Sequence, residues 1–259
     1  MNGSDTTLAG QVVVVTGAGS GLGAQVVRHL AERRQMKVVL LDLPGSPAGD
    51  LAAQFGDQAI FLPVDVTDES AVAASIHRAS RHWGRLDACV NVAGVPGTMR
   101  LLQRDGSIPQ GDVFERALRV NLAGTFYVMR HCASAFTRNA PRQGDRGVIV
   151  NVASIAAMEG SRGHVAYSAS KAAVVGMMLP AARELAEWGI RVVTVAPGMF
   201  DTPMLHTIAA PTLEKMATST VWPKRFGHAD EFARLVAHIM ENKYLNAEVI
   251  RIDAGARLV

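Results

Sequence analysis

Seven short runs of apolar, largely β-branched residues alternate along the chain with longer segments of helical periodicity. The first run contains four consecutive valines, Val12 to Val15, and several others are almost continuously apolar. A strand buried on both faces of a parallel sheet has this pattern, because helices cover both faces of such a sheet. The predicted strands are Gln11–Thr16, Lys37–Asp42, Ala59–Val64, Leu86–Val92, Gly147–Val152, Ile190–Ala196 and Glu248–Ile252.

Five segments between these runs have the periodicity of helices. Strands alternating with helices predict an α/β domain with a doubly wound, seven-stranded parallel sheet that is flanked by helices. Ligands bind such sheets at the carboxyl ends of the strands. Residues that directly follow a strand are therefore the candidates for chemistry. The predicted helices are Gly21–Arg34, Asp68–Trp83, Asp112–Arg138, Val165–Trp188 and Ala229–Glu241.

A glycine-rich segment directly follows the first predicted strand. From Thr16 to Gly23 it reads TGAGSGLG. Glycine permits a tight turn, a close approach of the backbone to a pyrophosphate, and close packing of the next helix on the strand. The N-terminus of that helix offers free N–H groups and a positive dipole end to phosphate. The segment therefore predicts a dinucleotide site that is contacted by Gly17, Ser20, Gly21, Leu22 and Gly23.

Three further strand ends carry residues that fit the same cleft. Asp42 ends the second strand, and its carboxylate can accept hydrogen bonds from the adenosine ribose while repelling a 2′-phosphate. No Arg or Lys stands nearby in the sequence to bind a 2′-phosphate, so we predict NAD rather than NADP. Asp65, after the third strand, is predicted to bind the adenine amino group. The other predicted cofactor contacts here are Val66, Asn91, Ala93 and Gly94.

Ser154, Tyr167 and Lys171 are the core of a predicted catalytic set. Ser154 follows the fifth strand, and the other two are four residues apart on one face of a predicted helix. A neighbouring ammonium and an oxidised nicotinamide are expected to lower the Tyr167 pKa below its usual value of about 10. A phenolate can take the proton of an alcohol as hydride leaves its carbon. Asn121, in a helical segment that we expect to break locally, is predicted to bind a water that links Lys171 to solvent.

Composition excludes several classes of protein. The 259 residues include 26 Lys+Arg and 23 Asp+Glu, and the basic residues are scattered rather than clustered as in a nucleic-acid or membrane surface. Cys89 and Cys132 have no metal-ligand or disulfide spacing and are expected to be buried and inert. No signal peptide or membrane-spanning run is evident. We therefore expect one catalytic domain over residues 1–259, without a metal, that is cytoplasmic and acts on a small molecule, with no nucleic-acid or membrane partner.

Together these motifs resemble the short-chain dehydrogenase/reductase family over nearly the whole chain. The resemblance implies a Rossmann fold and assembly into a homotetramer. It also implies a catalytic tetrad of Asn121, Ser154, Tyr167 and Lys171, the last two of which also contact the cofactor. Contacts with the nicotinamide end are implied for Pro197, Gly198 and Thr202. The chain departs from the pattern at Val92, where many members have a second Asn.

Stretches outside the catalytic set are similar to the type-2 3-hydroxyacyl-CoA dehydrogenases of this family. Examples are residues 40–44 (LLDLP) and 245–251 (LNAEVIR). The likeness implies NAD-dependent interconversion of 3-hydroxyacyl-CoA and 3-oxoacyl-CoA, with a substrate lid at about residues 199–226. A hydroxysteroid or broad secondary-alcohol dehydrogenase stays open as an alternative, because these stretches are not catalytic. A catalytically silent dinucleotide-binding scaffold is expected to have a broken tetrad, whereas all four residues are present.

Overall fold

A computed structural model of the chain describes residues 8–109, 111–203, 205 and 219–258. Seven strands in these residues form one sheet in the order β3-β2-β1-β4-β5-β6-β7, and each neighbouring pair is parallel. The predicted doubly wound Rossmann-type fold is confirmed. The strands are β1 (Val12–Thr16), β2 (Lys37–Asp42), β3 (Ala59–Pro63), β4 (Ala88–Asn91), β5 (Gly147–Val152), β6 (Ile190–Pro197) and β7 (Val249–Ile252).

Helices cover both faces of the sheet, and each face has its own apolar cluster. Alternate residues of β1 divide between the clusters: Val13 and Val15 face one side, and Val12 and Val14 face the other. This double burial explains the four consecutive valines. The helices are α1 (Gly21–Arg28), α2 (Ala48–Ala53), α3 (Glu69–Trp83), α4 (Val113–Ala117), α5 (Thr125–Phe136), α6 (Val165–Ala186) and α7 (Ala229–Glu241).

Two of the predicted helices contain a π-helical stretch. The first predicted helix is α1 followed by a π-helical turn at His29–Arg33. The segment predicted as Asp112–Arg138 consists of α4, a π-helical stretch at Leu118–Gly124, and α5. Asn121 lies in that stretch, so the expected local break is confirmed. Such π-bulges occur frequently at functional sites.

The helix α6 is long and apolar enough, by length and composition, to cross a membrane, and in the described part of the chain it is the one such helix. The sequence analysis did not find it because charged residues, among them Lys171 and Arg183, interrupt the apolar run. In the structure α6 packs against β6 and buries Lys171. These are the contacts of a core helix.

The two cysteines lie in the apolar cluster between the sheet and α5. Cys89 and Cys132 are both fully buried and form no disulfide, as expected. Burial raises the pKa of the Cys132 thiol well above its usual value. A thiol of this kind is a poor nucleophile, because the reactive form is the thiolate.

Candidate active site

A cavity of about 390 Å³ lies at the carboxyl ends of the central strands. The strand order reverses there between β1 and β4, which is where doubly wound sheets bind their ligands. The walls come from residues that follow β1, β4, β5 and β6 and from the start of α6. Of the predicted site residues, the cavity brings together Gly17, Ser20, Gly21, Leu22, Ala93, Gly94, Ser154, Tyr167, Lys171, Pro197, Gly198 and Thr202.

The glycine loop forms the floor of one half of the cavity. Gly17 has a φ of +63°, and an added Cβ would lie 2.9 Å from the backbone of Ala93. Thr16 Oγ1 accepts hydrogen bonds of 3.0 Å from the N–H groups of Val92 and Ala93, which joins the ends of β1 and β4. The backbone here thus carries no side chain at Gly17 and is fixed by the hydrogen bonds of Thr16. A pyrophosphate can approach it at the N-terminus of α1.

Gly23 does not line the cavity but lies beneath the glycine loop. A Cβ on Gly23 would sit 2.0 Å from the carbonyl oxygen of Gly17. No side chain fits in that space, so the residue allows α1 to pack directly on the end of β1. Its part in cofactor binding is therefore to shape the loop.

Asp42 lies against the glycine loop at the end of β2. Its Oδ2 accepts a hydrogen bond of 2.7 Å from Gly19 N, and its Oδ1 accepts one of 2.7 Å from Leu43 N. Ser46 Oγ and the backbone of Ala48 are also close to Gly19. The nearest neighbours of Gly19 are thus a carboxylate, a hydroxyl and a backbone N–H. A carboxylate at this position can accept hydrogen bonds from ribose hydroxyls.

Besides Gly23 and Asp42, three further predicted cofactor contacts lie outside the cavity walls. Asn91 is buried, and its Nδ2 donates to Asn151 Oδ1 at 2.9 Å, which ties β4 to β5. Val66 is buried against Gly124, and a Cβ on Gly124 would lie 2.6 Å from Val66 Cγ2. Asp65 is exposed, and its Oδ1 accepts a hydrogen bond from Thr67 N. The side chains of Asn91 and Val66 are thus used for packing, and a cofactor contact from either would have to come from its backbone. The adenine contact from Asp65 stays a prediction.

Ser154 and Tyr167 meet across the cavity, one at the end of β5 and the other on the first turn of α6. Ser154 Oγ accepts a hydrogen bond of 3.1 Å from Ala156 N, which fixes the serine at the start of the turn Ile155–Ala157. Burial raises the pKa of Tyr167 above its usual value of 10.0, and a hydrogen bond with Ser154 offsets part of the increase. The phenol is therefore protonated at neutral pH.

The predicted lowering of the Tyr167 pKa, by Lys171 and an oxidised nicotinamide together, is not produced by the protein's own groups. Lys171 Nζ is 5.9 Å from the centroid of the phenol ring, and it donates to Val152 O at 2.8 Å. Lys171 is itself 4% exposed, and burial lowers its pKa to about 8. Within the protein alone, desolvation is therefore the largest influence on the Tyr167 pKa.

Asn121 lies behind the cavity wall rather than in it. Its Oδ1 accepts from Val95 N at 2.8 Å, and its Nδ2 donates to Val95 O at 3.1 Å and to Ser170 Oγ at 2.9 Å. A Cβ on Gly94 would lie 3.2 Å from Asn121 Oδ1 and 3.5 Å from Lys171 Nζ, so both side chains lie next to Gly94. Asn121 thus holds the loop after β4 next to Lys171. Its predicted water-binding role stays a prediction.

His164 lines the cavity as well, and the sequence analysis did not single it out. It comes three residues before Tyr167, directly before α6, and this spacing is the signal that could have identified it. Half of the predicted lid, residue 204 and residues 206–218, lies outside the described residues. Met199 and Leu205, both from the first part of the lid, line the cavity, whereas Trp222, near its other end, is 78% exposed.

Residues 11–212 match the family model described as short chain dehydrogenase. The chain belongs to the short-chain dehydrogenase family. This short-chain dehydrogenase is 45% identical over 250 residues to 3-hydroxyacyl-CoA dehydrogenase type-2 of Drosophila melanogaster, covering 96% of this chain and 98% of the relative. It is 43% identical over 254 residues to the Homo sapiens protein of the same name, covering 97% of both. The crystal structure of 3-hydroxyacyl-CoA dehydrogenase type-2 from Mycobacterium avium matches with a TM-score of 0.91 at 37% identity, covering 98% of both chains.

Family membership makes this short-chain dehydrogenase an oxidoreductase with a small-molecule substrate and NAD(P) as its cofactor. The observed cradle fits that cofactor. The bare backbone at Gly17, the start of α1 and the carboxylate of Asp42 lie side by side, in the order in which a dinucleotide presents pyrophosphate and ribose.

Proposed function

We propose that this dehydrogenase interconverts 3-hydroxyacyl-CoA and 3-oxoacyl-CoA and prefers NAD as its cofactor. The observation that carries the proposal is the position of Asp42, whose Oδ2 accepts a hydrogen bond of 2.7 Å from Gly19 N of the glycine loop, while other residues of that loop line the cavity with Ser154, Tyr167 and Lys171. The thioester substrate is supported by full-length similarity to enzymes with that name. A 2′-phosphate at this carboxylate would face like charge.

Residues from both halves of the cavity would hold the cofactor. The N–H groups of the glycine loop would bind the pyrophosphate, Asp42 the ribose hydroxyls, and Pro197, Gly198 and Thr202 the nicotinamide end. When bound, NAD supplies the acceptor for the hydride that leaves the carbinol carbon of the substrate. The remaining steps are proton transfers by the protein.

Tyr167 is the proposed general acid and base. In the reduction of a ketone its raised pKa keeps the phenol protonated, so Tyr167 Oη can donate a proton to the substrate oxygen. In the oxidation of an alcohol the phenolate accepts the hydroxyl proton, and the positive charges of Lys171 and of oxidised nicotinamide favour that phenolate. Ser154 Oγ, already close enough to hydrogen-bond Tyr167, donates to the same substrate oxygen.

Opposite pH dependences are expected for the two directions. Oxidation needs the minor, deprotonated form of Tyr167, so kcat/KM should rise by about tenfold per pH unit between pH 6 and 8, as one titrating base requires. Reduction uses the protonated form and should be flat over the same range. Initial rates in both directions, followed by NADH absorbance, test this. An oxidation rate that is independent of pH would mean that Tyr167 does not accept the proton.

An Asp42→Asn variant should lose the discrimination between NAD and NADP. The amide keeps one acceptor oxygen, for Gly19 N, loses the acceptor for Leu43 N, and removes the charge that opposes a 2′-phosphate. We expect the ratio of kcat/KM for NAD to that for NADP to fall by about 100-fold, which corresponds to about 2.7 kcal/mol. Asp57→Asn, at an exposed acid in the turn before β3, is the matched control and should keep the wild-type ratio. An unchanged ratio in Asp42→Asn would refute the assignment of NAD specificity to this carboxylate.

The substrate is tested on the wild-type enzyme with 3-hydroxybutyryl-CoA, a hydroxysteroid and a simple secondary alcohol as alternative substrates. Reduction of NAD with the thioester at the highest kcat/KM supports the proposal. Turnover of the steroid or the alcohol without turnover of the thioester would replace it with the broader dehydrogenase activity. The same assay with NADP in place of NAD tests the cofactor preference directly.

We also propose assembly into a homotetramer. The outer faces of α5 and α6, with the π-helical stretch before α5, share a shallow apolar hollow that is lined by Phe126, Tyr127, Met177 and Pro180. Phe126 is 41% exposed in the single chain, and Leu179 on α6 is 40% exposed. Burial of these faces between copies would remove apolar surface from water. The mass in solution by light scattering tests this, and a monomer would refute it.

A further inference from the structure

His164 lines the catalytic cavity but takes no part in the proposed proton transfers. It lies directly before α6 and three residues before Tyr167, and both residues line the same cavity. The reacting oxygen of the substrate would lie between Ser154 and Tyr167. A second polar group of the substrate, a few bonds from that oxygen, would therefore lie within reach of His164.

The backbone around His164 is held from both sides. His164 N donates to Ser161 O at 3.1 Å, and its carbonyl accepts from Ser168 N at 2.7 Å. The preceding residue, Gly163, accepts a hydrogen bond of 2.8 Å from Met99 N, next to an isolated β-bridge between Met99 and His164. The start of α6 is thus anchored to the loop that follows β4. A residue held in this way can present its side chain with little loss of entropy on binding.

The imidazole ring is oriented by a single side-chain contact. His164 Nδ1 lies 2.9 Å from Ser161 Oγ. Within the described part of the chain, Nε2 has no hydrogen-bond partner. With Ser161 Oγ donating to Nδ1, the proton of the neutral ring is on Nε2. The ring then offers one N–H donor, on the side away from Ser161.

We propose that His164 is a specificity-determining residue, whose Nε2–H donates to the carbonyl oxygen two carbons from the reacting carbon. This inference rests on the proposed function, since a 3-hydroxyacyl thioester has a carbonyl at that position. A plain secondary alcohol has none. A half-buried donor would favour substrates that supply this acceptor, because an unpaired polar group in the complex lowers affinity.

The test compares ligands with and without the acyl carbonyl. In His164→Ala, we expect kcat/KM for 3-hydroxybutyryl-CoA to fall by about tenfold and the Kd of acetoacetyl-CoA, measured with NAD present, to rise by a similar factor. The Kd of CoA itself, which has no acyl group, should not change. His164→Gln retains an N–H donor and should recover most of the affinity. His77→Ala, at an exposed histidine on α3, is the control and should behave as wild type.

The outcomes separate this inference from the proposed function. If wild-type enzyme neither oxidises 3-hydroxybutyryl-CoA nor binds acetoacetyl-CoA, the proposed function fails and the inference falls with it. If the wild type does both but His164→Ala leaves kcat/KM and Kd unchanged, the inference alone is overturned. An equal loss of affinity for acetoacetyl-CoA and for CoA would also overturn it, because the residue would then only shape the site. Failure of His164→Gln to recover the affinity would equally count against a donated hydrogen bond.

Discussion

A Tyr167→Phe variant is expected to lose about 10²- to 10⁴-fold in kcat in both directions, the range that general acid–base catalysis supplies. The substitution removes one hydroxyl and keeps the ring, so the packing at the start of α6 and the position of Lys171 above the ring should be unchanged. Steady-state rates from NADH absorbance measure the loss. NADH fluorescence titration and thermal unfolding should give the wild-type Kd and Tm.

The matched control for this variant is Tyr244→Phe. Tyr244 is 99% exposed, so the same loss of a hydroxyl there should leave kcat unchanged. A Tyr167→Phe enzyme with wild-type kcat would show that the proton moves by another route.

The strands and the cavity walls could be predicted from the sequence, because each apolar run identifies a strand and the residues directly after it line the cavity. A run such as Val12 to Val15 can be buried on two sides only in the middle of a parallel sheet, and the glycine loop follows it without a gap. The residues after β5 and β6 reach the cavity for the same reason. Short elements were missed because six residues, as in α2, are too few to show a helical period.

The pKa shifts of Tyr167 and Lys171 could not be predicted from their spacing in the sequence. The four-residue separation of Tyr167 and Lys171 correctly predicted one helix face, but not that Lys171 Nζ would bond to Val152 O and lie 5.9 Å from the ring centroid. Burial is a tertiary property, and here it dominates the pKa of both groups. Asn91 shows the same limit, because its partner Asn151 is sixty positions away in the chain.

A Gly23→Ala variant should be both less stable and defective in cofactor binding. The new Cβ would lie 2.0 Å from Gly17 O and 2.8 Å from Gly17 C, and both are backbone atoms that cannot rotate away. Either α1 moves off β1 or the glycine loop shifts. Overpacking of this kind costs about 1–3 kcal/mol, which corresponds to a fall in Tm of about 2–12 °C for a chain of this size.

The loss of cofactor affinity should exceed what the stability change alone would cause. Gly19 N, in the same loop as Gly17, donates a hydrogen bond to Asp42, so a shift of the loop disturbs the pyrophosphate and ribose positions together. We expect the Kd of NADH, by fluorescence titration well below the Tm, to rise by about tenfold or more. Gly49→Ala is the control: its Cβ would meet only the side chain of Phe61, at 3.4 Å, and Tm and Kd should stay near wild type. Wild-type NADH affinity in Gly23→Ala would mean that the loop tolerates the displacement, and that close packing of α1 on β1 is not what shapes the cofactor site.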